Sequence, residues 1–188
     1  MPTQRLFVAL ELPGNIRESL SDILQKTSEF HEVKWVEREN LHLTLLFLGD
    51  HPEAAIPGIE RGLRPVAEAT APFKVSLGGF DAFPDRRDPK VIFVPVVREE
   101  KALSNLVEKL SLSLQRAGIA HDRKPFHGHV TLGRGKTLKG ATALFDRLAS
   151  VCPSVLGEMN VEHFVLFRSQ LSKKGPIYTA VENFKIGT

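Results

Sequence analysis

Apolar and polar residues alternate along seven short stretches of the chain, which is the period of a strand with one buried face. The first stretch ends at Pro13-Gly14, and the stretches at 73–80 and 90–97 are joined by a loop rich in Pro, Asp and Arg. The predicted strands cover residues 5–12, 41–49, 73–80, 90–97, 129–134, 161–172 and 176–186.

In the segments between these strands, apolar residues recur every three or four positions, which predicts amphipathic helices. The clearest helix spans 99–118, where Leu103, Leu106 and Leu110 share one face and Gly118 provides a stop. A second spans 15–30. Two more are predicted at 53–69, where two prolines blur the limits, and at 140–150.

The order of these elements is β-α-β-α-β followed by β-α-β-α-β-β, which is two similar halves without a low-complexity linker between them. Such an order favours an α+β fold that is bilobal. We expect two pseudo-symmetric lobes, each with an antiparallel sheet and outer helices, around a central groove.

Composition places the chain among ordinary globular proteins, because 42% of its 188 residues are hydrophobic and 25% are charged. No apolar run approaches the roughly 20 residues of a membrane-spanning helix, and the first residues do not resemble a secretory signal. The one cysteine, Cys152, excludes an internal disulfide and is interpreted as a small packing residue. We expect a cytoplasmic protein that acts as a monomer.

The net charge of +3 and the pI near 9.1 are compatible with a polyanionic partner but do not establish one. Basic residues cluster at 85–90, 121–136 and 168–175. The first and third clusters are interpreted as solvated loops. The second cluster contains a motif whose side chains could take part in catalysis.

That motif is His-x-Thr, which occurs twice inside apolar strand segments, as His42 and Thr44 and again as His129 and Thr131. Seven histidines and nine threonines make a single such triplet an ordinary coincidence, but two in matching elements of two halves are not. Side chains two apart on a strand share a face, so each histidine lies beside its threonine. If the halves meet about a pseudo-two-fold axis, two imidazoles and two hydroxyls face one space.

Such a set of side chains suits a phosphodiester. A neutral imidazole can take a proton from water and a protonated one can give a proton to the leaving oxygen, without a metal or other cofactor. The threonine hydroxyls can donate hydrogen bonds to the non-bridging oxygens. Arg134 can add a charged fork for phosphate, provided that the strand bends at Gly133.

Five segments together resemble the RNA 2′,3′-cyclic phosphodiesterase family, also called bacterial 2′-5′ RNA ligase, of the two-histidine phosphoesterase superfamily. The resemblance runs from about residue 4 to 184 in the family's order and spacing. The segments are "RLFVALELP", "WVERENLHLTLLFLGD", "PKVIFVPV", "KPFHGHVTLGR" and "FRSQLSKKGPIYTAVENF". It implies one domain over residues 1–188, made of two interleaved lobes, and metal-independent opening of a 2′,3′-cyclic phosphate to a 2′-phosphomonoester. The implied partner is a tRNA-like or other RNA with a cyclic phosphate end.

The resemblance also implies a role for each motif residue. His42 matches the acid that protonates the leaving O3′, and His129 matches the base that activates water. Thr44, Thr131 and Arg134 match phosphate-binding residues. The family usually has proline just before the second histidine, where this chain has Gly128, so His129 is expected to be held less rigidly.

Other interpretations of the motifs stay open. His127 and His129 form an H-x-H pair that could bind zinc, although no third ligand lies near in sequence. His127, Phe47 and Tyr178 are candidates to line the substrate groove, and Trp35 and Phe126 could stack on a base or pack in the core. The alternatives to RNA end hydrolysis are a phosphodiesterase for a small nucleotide, such as ADP-ribose 1″,2″-cyclic phosphate, and a non-catalytic RNA-binding module.

Overall fold

The computed structural model describes residues 3–136, 138, 141–173 and 175–187 of the chain. These residues form ten strands and four α-helices. The strands are β1 Thr3–Glu11, β2 Lys34–Trp35, β3 His42–Pro52, β4 Phe73–Leu77, β5 Asp81–Phe83, β6 Val91–Arg98, β7 His129–Arg134, β8 Gly157–Val161, β9 His163–Ser172 and β10 Gly175–Lys185. The helices are α1 Gly14–Lys26, α2 Ile56–Glu68, α3 Glu100–Arg116 and α4 Thr142–Val151.

The strands form an antiparallel sheet in the order β10-β9-β1-β3-β7-β6-β4-β8, with β2 beside β7 and β5 beside β6. The chain begins in the β10-β9-β1-β3 half, which we call the first lobe, and crosses to the β7-β6-β4-β8 half, the second lobe, before it returns. The predicted α+β, bilobal fold with antiparallel sheets is confirmed. In each lobe the strand that carries His-x-Thr lies at the junction.

The lobes meet where β3 pairs with β7 through a single register pair, Leu43 opposite Val130. Both side chains are fully buried. They belong to the same hydrophobic core as the apolar faces of the helices, for example Ile16 of α1 and Leu110 of α3. The helices therefore cover the Leu43 and Val130 face of the sheet and leave the opposite face open as a groove.

Three strands that the sequence did not predict are β2, β5 and β8. With two, three and five residues, these strands are too short for their alternation to be distinguished from that of a loop. The first helix ends at Lys26 rather than residue 30, and the hydroxyl of Thr27, the residue that caps it, donates to the Ile23 carbonyl at 2.8 Å. The strand predicted at 41–49 is β3, which continues to Pro52, with Gly49 at φ +81° opposite Leu6.

The remaining predictions agree with the structure within a few residues. The helix predicted at 53–69 is α2, preceded by a 3₁₀ turn at Glu53–Ala55, and Pro57 lies in its first turn where the missing N–H costs nothing. The helix predicted at 140–150 is α4, and Gly140 lies outside the described residues.

Cys152 is buried, which raises the pKa of its thiol to about 11, and its Sγ donates to the Gly79 carbonyl. These contacts agree with its interpretation as a packing residue. No helix among the described residues is long and apolar enough to cross a membrane.

Candidate active site

The register at the lobe junction places both His-x-Thr motifs on the open face of the sheet. Leu43 lies opposite Val130, so one step along each antiparallel strand brings His42 beside Thr131 and Thr44 beside His129. All four side chains are partly buried and point away from the core. The predicted juxtaposition of two imidazoles and two hydroxyls is therefore what the register produces.

His42 is held by backbone and aromatic contacts within the first lobe. Its Nδ1–H donates to the Asn40 carbonyl at 2.7 Å. The ring centroids of Phe7 and Tyr178 each lie 5.1 Å from that of the imidazole. With Nδ1 occupied, Nε2 is the nitrogen that exchanges protons at the groove.

His129 is held in the same way by the second lobe. Its Nδ1–H donates to the His127 carbonyl at 2.7 Å, again two residues earlier. The ring centroids of Phe93 and Phe83 lie 5.0 and 5.1 Å from that of the imidazole. Each lobe thus fixes one imidazole by a backbone carbonyl and two aromatic rings, and leaves its Nε2 toward the groove.

A β-bulge brings Arg134 onto the same face. In the pairing of β6 with β7, Phe93 lies opposite Thr131 and Ile92 lies opposite Gly133, so Leu132 is an extra residue. The bulge shifts the alternation by one position. The bend that Arg134 requires is therefore present, one residue earlier than Gly133.

A matching bulge in the first lobe brings Phe47 onto the groove face. Ala9 of β1 lies opposite Thr44, but Val8 lies opposite Leu46, so Leu45 is the extra residue. Phe47 is half-exposed there. Phe47 and Arg134 each follow their histidine by five residues and occupy equivalent positions in the two lobes.

The two histidines differ in the engagement of Nε2. The Thr44 hydroxyl lies 2.9 Å from Nε2 of His42 and donates to it when the imidazole is neutral. Among the described residues, Nε2 of His129 has no such partner. His42 is the more enclosed of the two rings, and His129 is the more accessible to solvent.

Burial lowers the pKa of both imidazoles below the ordinary value. Desolvation is the main cause for His42, opposed by the hydrogen bond to Asn40 and reinforced by the charges of His129 and Arg134. Desolvation also dominates the lowered pKa of His129, where Arg134 again adds to the effect. The charge of Arg134 therefore reaches both imidazoles.

Two cavities open beside the histidines. The larger, about 530 Å³, is lined by His129, Arg134, Thr44, Phe47, Phe126 and His127 together with other groove residues. The smaller, about 140 Å³, lies on the other side of His42, where Tyr178, Phe7, Arg17 and Asn40 line it. Phe47 and His127 thus face the larger cavity and Tyr178 the smaller. Trp35 packs against the core.

Several residues that shape the site were not found from the sequence. Phe7, Phe83 and Phe93 flank the imidazoles only because of strand pairing, which no local pattern encodes. Asn40 lies two residues before His42 and also donates from its side-chain amide to the Pro176 carbonyl at 3.0 Å. The position of Asn40 could have been recognised from its spacing, because Asn40 precedes His42 by two residues, as His127 precedes His129.

Gly128 has a role other than loosening the backbone. Its φ is not in the left-handed region, and its carbonyl accepts from the Val96 amide at 2.8 Å. An added Cβ would lie 2.9 Å from a Val96 methyl carbon, so the neighbouring side chains leave no room for a side chain at residue 128.

Groups of three or more potential metal ligands are absent from the part of the chain that the structure describes. Within the H-x-H pair, the His127 carbonyl accepts from Nδ1–H of His129, and the exposed ring of His127 lines the larger cavity together with His129. Two further histidines serve the fold. His51 Nε2 lies 3.0 Å from the Leu48 and Ala120 carbonyls, and His121 Nε2 lies 2.7 Å from the Ser111 hydroxyl.

Two His-x-Thr strands that meet at the junction of pseudo-symmetric lobes define the architecture of the two-histidine phosphoesterases. The chain belongs to the 2′-5′ RNA ligase superfamily, whose family model matches residues 13–172.

Individual relatives cover almost the whole chain. An RNA 2′,3′-cyclic phosphodiesterase of Archaeoglobus fulgidus is 39% identical over 96% of this chain and 99% of its own length. One of Aquifex aeolicus is 32% identical over the full length of both. The crystal structure of the protein TT0787 of Thermus thermophilus superimposes with a TM-score of 0.80 at 35% identity, covering 97% of each chain.

Close packing at Gly133 leads to a stability prediction. A Cβ there would lie 2.5 Å from Val33 Cγ1 and 2.9 Å from Trp35 Cε3, so Gly133→Ala forces β2 away from β7. We expect a loss of about 1–3 kcal/mol in the free energy of unfolding, the usual cost of overpacking, measured by urea denaturation. Gly14→Ala is the matched control, since no atom lies within 4 Å of its added Cβ. Equal stability of the two variants would contradict the packing argument.

Proposed function

We propose that this chain opens 2′,3′-cyclic phosphate ends of RNA to 2′-phosphomonoesters, with His42 and His129 as the acid and base of a metal-independent reaction. Residues 1–188 would act as one two-histidine phosphoesterase domain. The observation that carries the proposal is the pairing of Leu43 with Val130, which directs the imidazoles of two lobes to one groove.

Family membership and the curated relatives support the reaction class. The chain is a cyclic phosphodiesterase, as expected for a protein 39% identical to an RNA 2′,3′-cyclic phosphodiesterase over nearly its whole length. The RNA substrate, the two histidine roles and the independence from metal are the finer parts of the proposal.

In the proposed step, water attacks phosphorus and the bond from phosphorus to O3′ breaks. Nε2 of His129 takes the proton from water, and Nε2 of His42 gives a proton to O3′, so the product carries a 2′-phosphate and a 3′-hydroxyl. Protons return through solvent exchange. In the same direction, with a 5′-hydroxyl in the place of water, the 5′ oxygen would bond to phosphorus as the P–O3′ bond breaks, and the same two groups would serve 2′-5′ ligation.

The differences between the imidazoles support this assignment. His129 adjoins the larger cavity and has Nε2 without a protein partner among the described residues, so water can reach it. His42 is more enclosed, which suits a group that delivers its proton to a bound oxygen. The anionic phosphate raises the pKa of both imidazoles in the complex, because an opposite charge favours the protonated form.

Thr44, Thr131 and Arg134 would stabilise the phosphate. Thr131 is beside His42 in the strand register, and Thr44 is beside His129. When His42 is protonated its Nε2 becomes a donor, which frees the Thr44 hydroxyl hydrogen for a non-bridging oxygen. Arg134 adds a charged fork where negative charge accumulates as the pentacoordinate state forms.

The larger cavity has the size and lining for the terminal nucleoside. Its volume of about 530 Å³ lies within the usual range for a ligand site. Phe47 and Phe126 can stack on a base, and the exposed His127 lines the same space. Tyr178 would contribute through the smaller cavity, where its ring lies edge-on to His42.

The decisive experiment is product analysis of an oligoribonucleotide that ends in a 2′,3′-cyclic phosphate, incubated with the protein in EDTA. We expect a 2′-phosphate product at the rate seen without chelator. Loss of turnover in EDTA would favour zinc binding by His127 and His129. Preferred opening of ADP-ribose 1″,2″-cyclic phosphate in parallel would indicate a small-nucleotide enzyme, and binding without opening would indicate an RNA-binding module.

The lowered pKa values predict the pH profile. The active form has one imidazole neutral and the other protonated, so kcat/KM falls below the lower and above the higher of the two pKa values of the free enzyme. Because burial lowers both pKa values below about 6.5, we expect a bell with its maximum below about pH 6.5. The kcat profile should lie at higher pH, since bound phosphate raises both pKa values. A monotonic profile across the acidic and neutral range would contradict paired acid and base.

A further inference from the structure

A second cation faces the groove beside Arg134. In the short pairing of β2 with β7, Lys34 lies directly opposite Arg134 and Trp35 opposite Gly133. Directly opposed residues of antiparallel strands point to the same face, with Cα atoms about 4.5–5.5 Å apart. Because the Leu132 bulge turns Arg134 to the groove, Lys34 also faces the groove.

Two like charges in this position repel each other, and an anion between them would remove that repulsion. Directly opposed like charges destabilise a strand pair. Both side chains are exposed, and neither takes part in an ion pair among the described residues. The nearest acidic side chains in sequence, Glu32 and Glu37, do not neutralise Lys34, whereas Lys90 near the next strand is paired with Asp88 at 3.5 Å.

The position of β2 puts Lys34 at the Arg134 end of β7, beyond the two histidines. Along one edge of β7, β3 pairs at Val130 and β2 takes over at Gly133, with the Val36 amide donating to the Leu132 carbonyl between them. Moving along β7 from His129, the groove face therefore shows Thr131, then Arg134 with Lys34 at its side. A phosphate held at the histidines is followed by a second cationic position.

We propose that Lys34 binds the phosphodiester on the 5′ side of the terminal nucleotide, so that the enzyme favours an RNA chain over a cyclic mononucleotide. This inference rests on the proposed function and adds a specificity-determining residue to it. Arg134 serves the cyclic phosphate, and Lys34 serves the next phosphate along the chain.

The test compares two substrates that differ in one phosphate. The first is a dinucleotide that ends in a 2′,3′-cyclic phosphate, and the second is the matching nucleoside 2′,3′-cyclic phosphate. We expect Lys34→Gln to raise the KM of the dinucleotide by about 3- to 10-fold, as for loss of one hydrogen bond of ordinary net strength, and to leave the mononucleotide unchanged. The slope of log(kcat/KM) against log salt for the dinucleotide should fall by about 0.7, the share of one phosphate of a single strand.

Two controls sharpen the result. Lys109→Gln makes the same change of charge on the exposed face of α3 and should leave both substrates unaffected. A dinucleotide with an uncharged methylphosphonate linkage should be a poorer substrate for the wild type, with no further loss in Lys34→Gln. Equal effects of Lys34→Gln on both substrates, or an effect no larger than that of Lys109→Gln, would overturn the inference while the hydrolase function stands. If the wild type opens neither substrate, the proposed function itself fails and the inference with it.

Discussion

Replacement of either His42 or His129 with alanine is expected to lower kcat by about 10²–10⁴, because each imidazole moves one proton in the transition state. The two single variants should resemble each other, since loss of either proton transfer interrupts the same step. KM should change little, because Thr44, Thr131 and Arg134 still hold the phosphate. Steady-state hydrolysis of a cyclic-phosphate-ended oligonucleotide measures the effect.

His31→Ala is the matched control, because His31 is exposed and lies outside both cavities. It should keep wild-type turnover. RNA binding by the His42 and His129 variants, measured by fluorescence anisotropy, should stay close to that of the wild type. Turnover near the wild-type rate in both variants would instead support a binding module in which the histidines only position RNA.

Replacement of Arg134 with methionine is expected to lower kcat/KM by about 10²–10³, the usual effect of removing one donor to a developing negative charge. The side chain faces the groove because of the Leu132 bulge, and its charge reaches both imidazoles. Arg134→Lys keeps the charge but loses the fork of donors, so it should recover only part of the activity. Kinetics on the cyclic mononucleotide isolate the effect from contacts to upstream RNA.

Arg134→Met should also change the pH profile. Removal of the positive charge raises the pKa of both imidazoles toward the ordinary value, so the kcat/KM bell should move to higher pH. Arg116→Met, at the exposed end of α3, removes the same charge outside both cavities and should alter neither rate nor profile. An unchanged profile in Arg134→Met would show that Arg134 does not act at the histidines.

The sequence predicted the motif strands because their signal is local. His42 and Thr44 share a face by the period of a strand, and leucines on the other face indicate which side is buried. The sequence also allowed the juxtaposition of the two motifs to be predicted, because each motif occupies the matching strand of one half of the chain. Long, strongly periodic segments such as 99–118 were predicted within two residues of the observed helix.

The rest of the site depends on pairing between distant strands. A bulge is a property of two paired strands. The sequence around Leu45 or Leu132 alone therefore does not reveal that either residue is the extra one. For the same reason the period alone would have placed Arg134 on the wrong face. The strand β2, with two residues, has no period at all, yet it brings Lys34 to the groove.

The most direct test of the proposed mechanism is a cyclic substrate in which sulfur replaces the leaving 3′ oxygen, compared with the normal substrate in the His42→Ala and His129→Ala variants. A thiolate leaves without protonation, so we expect the sulfur substrate to restore His42→Ala to near the wild-type rate while His129→Ala stays impaired by about 10²–10⁴. Restoration of His129→Ala instead, or equal impairment of both variants on both substrates, would contradict the assignment of His42 as the acid and His129 as the base.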